Sequence, residues 1–191
     1  MGACIKVIGV GGGGGNAVDS MVDSPEMASV TFIVANTDAQ ALAISRVPHR
    51  VQLGEKITKG LGAGSNPEVG RRSAEEDLEV VRELIKGADI LFLTGGMGGG
   101  TGSGALPVIA QAARELGILT VAVVTNPFTF ECKRRVIHGE EGIRLLKQSV
   151  DTLLVVPNQK LLENVESTIS MLDAFALSNS VLKQAIQGIS D

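Results

Sequence analysis

Short apolar runs alternate along this chain with longer stretches of helical period. Six runs read as strands: residues 5–10, 30–35, 50–53, 90–94, 120–125 and 152–156. They are rich in Val, Ile and Leu and mostly continuous rather than alternating. That is the pattern of strands covered on both faces, as in a parallel sheet between two layers of helices. The clearest helix spans 67–86. Asn66 is a good N-cap, Pro67 suits the first helical position and Gly87 ends the segment. Ala74, Leu78, Val81 and Ile85 form its buried stripe, while Glu75, Glu76, Glu79 and Glu83 face solvent. Further helices are expected at 16–23, 104–116 and 131–148. The alternation predicts an α/β fold with a doubly wound, Rossmann-like parallel sheet.

The last helical segment, 172–189, has a different pattern. Asp173, Ser180, Lys183, Gln184 and Gln187 fill about a third of its wheel at 100° per residue. Leu172, Phe175, Leu177, Val181, Leu182, Ala185, Ile186 and Ile189 occupy the rest. A surface helix needs an apolar stripe of only about 100°. This helix is therefore expected to be covered on two sides, by a further part of a longer protein or by a second copy in a dimer. On this reading residues 1–171 form a ligand-binding domain. Residues 172–191 form a central helix leading to a C-terminal domain that the sequence does not contain.

Composition narrows the function. The chain has 191 residues, 44% hydrophobic and 20% charged, with a formal net charge of −4. That argues against an electrostatic nucleic-acid or anionic-membrane binder. Five Phe and no Trp or Tyr provide no base-stacking platform. Two cysteines, Cys4 and Cys132, make no disulfide framework. No run approaches the roughly 18 apolar residues of a membrane span, and no export leader is visible, so the chain reads as cytoplasmic.

Glycine changes the picture most. Of 24 glycines, six fall within 9–15 and seven within 95–104. Gly11-Gly12-Gly13-Gly14-Gly15-Asn16 follows the first strand and opens a helix. Backbone N–H groups at a helix start carry partial positive charge, and residues without Cβ let the chain wrap a phosphate. The same run fits the dinucleotide pattern G-x-G-x-x-G, with Gly9 as its first glycine. Gly98-Gly99-Gly100-Thr101-Gly102-Ser103-Gly104 follows the fourth strand and opens another helix. In the order 3-2-1-4-5-6, strands one and four are neighbours at the topological switch point. The two runs would then face one crevice and grip a polyphosphate, with Thr101 and Ser103 adding hydroxyl donors. A second glycine loop favours a nucleoside di- or triphosphate over a nicotinamide dinucleotide.

No G-x-x-x-x-G-K-[ST] motif is present, so this is not a P-loop protein. No lysine stands ready to neutralise phosphates, which leaves backbone dipoles and Mg²⁺ to do so. Ser103 is not a nucleophile elbow, because Thr101 and Ala105 stand where that turn needs glycine. His49, His138, Cys4 and Cys132 lack metal-ligand spacing.

The 98–104 run matches the tubulin signature, and 9–16 resembles the first phosphate loop of the FtsZ family of bacterial, tubulin-like division GTPases. Segments 36–40 (NTDAQ), 60–68 (GLGAGSNPE), 130–135 (FECKRR) and 181–191 (VLKQAIQGISD) resemble the same family. The resemblance covers essentially the whole chain. It implies GTP or GDP with Mg²⁺, the ion being held through the nucleotide. Gly11, Gly12, Gly13, Gly14, Gly15 and Asn16, with Gly98, Gly99, Gly100, Thr101, Gly102 and Ser103, would cradle the phosphates. Gly62, Ala63 and Gly64 would sit on a loop sensing the γ-phosphate. Asp38 would lie near the phosphates and Mg²⁺, though by position alone it is a helix cap. Glu131 and Arg135 would hold the ribose. By spacing alone they are an i,i+4 ion pair, worth about 0.3–0.5 kcal/mol on a surface. Asn158 and Asn179 match positions near the guanine, whose edge an amide suits. Asn158 could equally cap a helix. Cys132 stands where the family usually has glycine, and Gly95-Gly96 replaces an alanine-containing pair.

The family hydrolyses GTP between subunits stacked head to tail in division filaments. Acidic residues beyond the central helix of one subunit reach the nucleotide of the next. No catalytic residue is expected in this chain, which should bind nucleotide and turn it over poorly. Self-association and, through the C-terminal region, division-protein partners are implied. Two other classes compete: a Rossmann-type NAD(P)-dependent oxidoreductase and a non-enzymatic regulator that docks on filaments. The oxidoreductase predicts an acidic ribose ligand at the end of strand two, where Ala35 and Asn36 stand, with Asp38 only beyond them.

Overall fold

The computed structural model describes residues 2–128, 131–163 and 171–190. Phe130 and Asp191, part of the family resemblance, lie outside them. Its strands are β1 (Ile5–Val10), β2 (Thr31–Asn36), β3 (His49–Gln52), β4 (Ile90–Gly96), β5 (Leu119–Thr125) and β6 (Thr152–Val156). They form one sheet in the order β3-β2-β1-β4-β5-β6, and every pairing is parallel. The expected strand order and class therefore hold. Order reverses between β1 and β4, which places the switch point there.

Successive residues of each strand enter opposite cores, as the two-residue side-chain period requires. Ile8, Ile33, Leu93 and Ala122 pack beneath α4 (Pro67–Glu76), α5 (Leu78–Ile85) and α6 (Gly100–Glu115). Val7, Phe32, Phe92 and Val123 face α1 (Gly11–Met21) and α9 (Met171–Ser190). The shorter helices are α2 (Ala39–Ala43), α3 (Glu55–Thr58) and α8 (Asn158–Glu163), with α7 (Lys133–Lys147) beside β6.

Three expected boundaries are corrected, each for a local reason. The helix expected at 67–86 is two helices. Asp77 leaves helical geometry (φ −113°, ψ 22°), and its carboxylate accepts from the Gly54 N–H at 2.7 Å. Leu78, expected in the buried stripe, is only half-buried, whereas Ala74, Val81 and Ile85 are fully buried. Helix α1 begins at Gly11 rather than residue 16, and α6 at Gly100 rather than 104. Glycine is a poor helix former, at about 1 kcal/mol per residue against Ala. Here packing overrides propensity, because at several of these glycines the helix lies too close to the sheet for a Cβ. A Cβ on Gly14 would stand 2.5 Å from the Thr94 carbonyl oxygen, and one on Gly102 2.3 Å from that of Gly96. Gly95 and Gly96 are strand residues, paired with Val10 and Thr125.

On α9, Ala174, Leu182 and Ile186 are buried, while Leu177, Val181 and Ala185 are half-buried. The side chains of Leu172, Phe175 and Ile189 lie outside the described set. Among the described residues no helix is long and apolar enough to cross a membrane.

Helices α4 and α6 meet backbone to backbone. A Cβ on Gly70 would stand 2.1 Å from the Gly100 carbonyl oxygen, and one on Gly104 2.0 Å from that of Pro67. Gly70→Ala must therefore force the helices apart. We expect it to destabilise the fold by about 1–3 kcal/mol, the usual cost of overpacking, read as a lower midpoint in urea unfolding.

Candidate functional site

Strands β1 and β4 end side by side, with Val10 opposite Gly95. Helices α1 and α6 start there. A Cβ on Gly11 (φ +77°) would lie 3.2 Å from the Gly102 nitrogen, so the two glycine runs face each other directly. Neither helix start is capped by a side chain, since Val10 and Gly99 occupy the N-cap positions. The first turn of any helix holds four N–H groups without an internal partner. Two such sets, each at a positive dipole end, converge on one space.

That space is a cavity of about 550 Å³. Gly11, Gly12, Gly13 and Asn16 line one side, and Gly99, Gly100, Thr101 and Gly102 the other. Asp38, Gly62 and Ala63 border it from the β2 side, and Glu131, Arg135, Asn158 and Asn179 complete its lining. Gly12 lines the cavity, and a Cβ there would meet no protein atom within 4 Å.

Asp38 caps α2, accepting from the N–H groups of Gln40 (2.9 Å) and Ala41 (3.3 Å). It is thus both helix cap and cavity wall. Glu131 accepts from Arg135 Nε at 2.8 Å with one oxygen and from the Phe128 N–H at 2.6 Å with the other. Its side chain is 11% exposed, so the surface value for an i,i+4 pair does not describe it. Asn158 is 2% exposed and donates from Nδ2 to the Asn126 carbonyl at 2.8 Å, and its buried Oδ1 has no partner among the described residues. A buried acceptor left without a donor costs about 1–3 kcal/mol. Asn179 is half-buried on α9.

Five expected residues are not on the cavity lining. Gly14 packs on the sheet, Gly15 opens on a smaller adjoining cleft, and Gly64 holds a positive φ in the loop behind Ala63. Gly98 packs against Pro127 and the Arg135 backbone. Ser103 is turned inward: its buried hydroxyl accepts from the Gly98 N–H at 2.7 Å. In that position its hydroxyl braces the loop from beneath. Conversely, the cavity includes Asn36, Thr37, Ser65 and Asn126, which sequence reading missed. Asn36, Thr37 and Asn126 lie at or just beyond the C-terminal ends of β2 and β5. The rule that directed attention to the ends of β1 and β4 would have found them.

The perturbed carboxylates lie elsewhere. Hydrogen bonding from Arg71 holds Glu68 below the usual carboxylate range, and Arg144 does the same for Glu141, both on exposed helix surface. Asp38 and Glu131 are the carboxylates on the described cavity lining, and both already accept hydrogen bonds from the protein.

A parallel sheet with two glycine helix starts at its switch point is also a family feature. Residues 4–166 match the tubulin/FtsZ family, GTPase domain. The chain belongs to the tubulin/FtsZ family. It is 57% identical over 189 residues, 99% of its length, to the cell division protein FtsZ of Wigglesworthia glossinidia brevipalpis. The same identity and span relate it to that of Buchnera aphidicola subsp. Acyrthosiphon pisum (strain APS). The chain spans about half the length of these curated relatives, 49% of each. An FtsZ dimer from M. jannaschii superposes with a TM-score of 0.95 at 40% identity, over 100% of this chain and 55% of that one. A GDP-bound CetZ1 monomer from Haloferax volcanii gives a TM-score of 0.85 at 25% identity, over 95% and 58%. The tubulin/FtsZ family is one of GTPases, and the oxidoreductase alternative finds no support.

Ser103→Ala leaves the buried Gly98 N–H without its acceptor. We expect a stability loss of about 1–3 kcal/mol, measured by urea unfolding of the chain without added ligand.

Proposed function

We propose that this chain is the GTP-binding half of an FtsZ-like division GTPase, with the site held between α1 and α6. The observation that carries the reading is the convergence of two uncapped glycine helix starts on one cavity. A helix start is an anion site. Two, facing across a narrow gap, suit a di- or triphosphate chain. The amides of 11–13 and 100–102 would take the phosphate oxygens, and Gly62 and Ala63 would border the terminal one. Gly98 and Ser103 act beneath the loop, and Gly14, Gly15 and Gly64 through backbone shape.

The far side suits a purine nucleoside. Glu131 fixes Arg135 beside the ribose. The partnerless Oδ1 of Asn158 would accept from the guanine edge, with Asn179 offering a second amide. The GDP bound to the CetZ1 monomer of Haloferax volcanii supports this ligand class. Magnesium would reach the site on the phosphates. Among the described residues no cluster of three His, Cys, Asp or Glu could hold an ion. Bound there, Mg²⁺ supplies charge neutralisation of the phosphate oxygens, with Asp38 the nearest carboxylate on that side.

Hydrolysis needs a group to position or deprotonate water. Asp38 and Glu131 are already engaged as a cap and as a clamp. Turnover by this chain alone is therefore weak, and a neighbouring subunit completes the site in the whole protein. The FtsZ dimer among the structural relatives supports self-association. A head-to-tail interface whose rotation does not close repeats without end, hence a filament. The setting is the cytoplasm, and division-protein partners would engage the remainder of the protein.

Calorimetric titration should show GTP and GDP binding and no binding of NAD; the reverse would refute the proposal. Asn158→Ala should weaken GTP by about tenfold, from loss of one buried acceptor, and reduce its preference over ATP. Steady-state hydrolysis by this chain at the rate of an intact relative would contradict the shared active site.

A further inference from the structure

One residue joins the glycine run of α6 to the loop bearing Gly62, and the sequence reading gives it no role of its own. Thr37 follows β2, lines the cavity and is fully buried. Its Oγ1 lies 2.7 Å from the Oγ1 of Thr101, itself 9% exposed and on the cavity lining. Its carbonyl accepts from the Gly62 N–H at 3.2 Å and from the Thr58 hydroxyl at 3.4 Å. Thr58 Oγ1 in turn accepts from the Gly60 N–H at 3.3 Å. A buried relay therefore runs from Thr101 through Thr37 to both ends of the 60–62 segment.

The direction of the hydroxyl pair is open in the free protein, because each hydroxyl can donate or accept. An anion removes that freedom. If Thr101 gives its single proton to a phosphate oxygen, it can only accept from Thr37, and Thr37 must donate. A chain of hydrogen bonds aligned in this way strengthens each member. We propose that Thr37 is a positioning residue: its hydroxyl turns the Thr101 proton toward a bound phosphate, while its carbonyl ties that event to Gly62. This rests on the nucleotide reading above and adds a route by which occupancy at Thr101 reaches the sensing loop. The pair lies in the interior, so the effect is insensitive to salt screening.

The test is a double-mutant cycle on this chain, with GTP titrated by calorimetry in the presence of Mg²⁺. Thr37→Val keeps shape and removes the hydroxyl. It should lower GTP affinity about three- to tenfold, the range for one hydrogen bond. Thr37→Ser should restore it to within about twofold. In a Thr101→Val background, Thr37→Val should change affinity by less than about twofold, because the two act as one unit. Guanosine, which has no phosphate, should bind all folded variants equally. An unchanged Thr37→Val affinity, or an equal loss with and without Thr101, overturns the proposal. A second measurement does not depend on Thr37→Val folding. Saturating GTP should slow hydrogen exchange at the Gly62 amide in the unmutated chain but not in Thr101→Val. Equal slowing in both also overturns it. If the unmutated chain binds guanosine and GTP alike or neither, the nucleotide reading itself fails.

Discussion

The structure depends on backbone-to-backbone contact where glycine removes the side chain. Helix α1 rests on β1 and β4 through Gly9 and Gly14, and α6 on β4 through Gly102 and Gly96. A methyl at any of the four positions would meet a neighbouring atom at 3.5 Å or less, and for three of them it would be a backbone atom within 2.5 Å. Glycine costs helix propensity, about 1 kcal/mol at each interior position, and the gain is proximity. Two dipole ends are brought to one gap, and neither helix start is capped by a side chain. The Arg135 guanidinium lies beside Gly99, 3.8 Å from where a Cβ there would stand, so one cationic side chain adds to the attraction of the main chain for an anion.

That economy explains the other parts of the site. Two side chains at the glycine end brace the backbone: Ser103 holds Gly98, and Asp38, on the lining, also caps α2. The amides of Asn158 and Asn179 line the other end. Under the proposed function the cavity would offer charge complementarity at the glycine end and edge recognition at the amide end, matching the two ends of a nucleotide.

Strand order and the switch point were legible because continuous Val, Ile and Leu runs report two-sided burial. Glycine clusters after β1 and β4 report close approach of backbone at the switch point, so the position of the cavity was legible too. Helix starts were not. Propensity argues against a helix through Gly11–Gly15 or Gly100–Gly104, and only the closeness of the sheet, a tertiary fact, makes those residues helical. The inward turn of Ser103 was hidden for the same reason, since its i−5 partner, Gly98, becomes one only after the loop folds back. The break at Asp77 depends on Gly54, 23 residues away, and no local pattern signals it. Thr37 was missed because, within the 36–40 segment, its partner Thr101 stands 64 residues away and meets it only in the fold.

The central claim is that both helix starts hold the same ligand. Backbone amide chemical shifts, followed by NMR as GTP is added, test it most directly. The account predicts that Gly12, Gly13, Gly100 and Gly102 shift together with one dissociation constant, and that guanosine leaves all four unmoved. Shifts confined to one run, or a response at Asn158 with both runs silent, would contradict it.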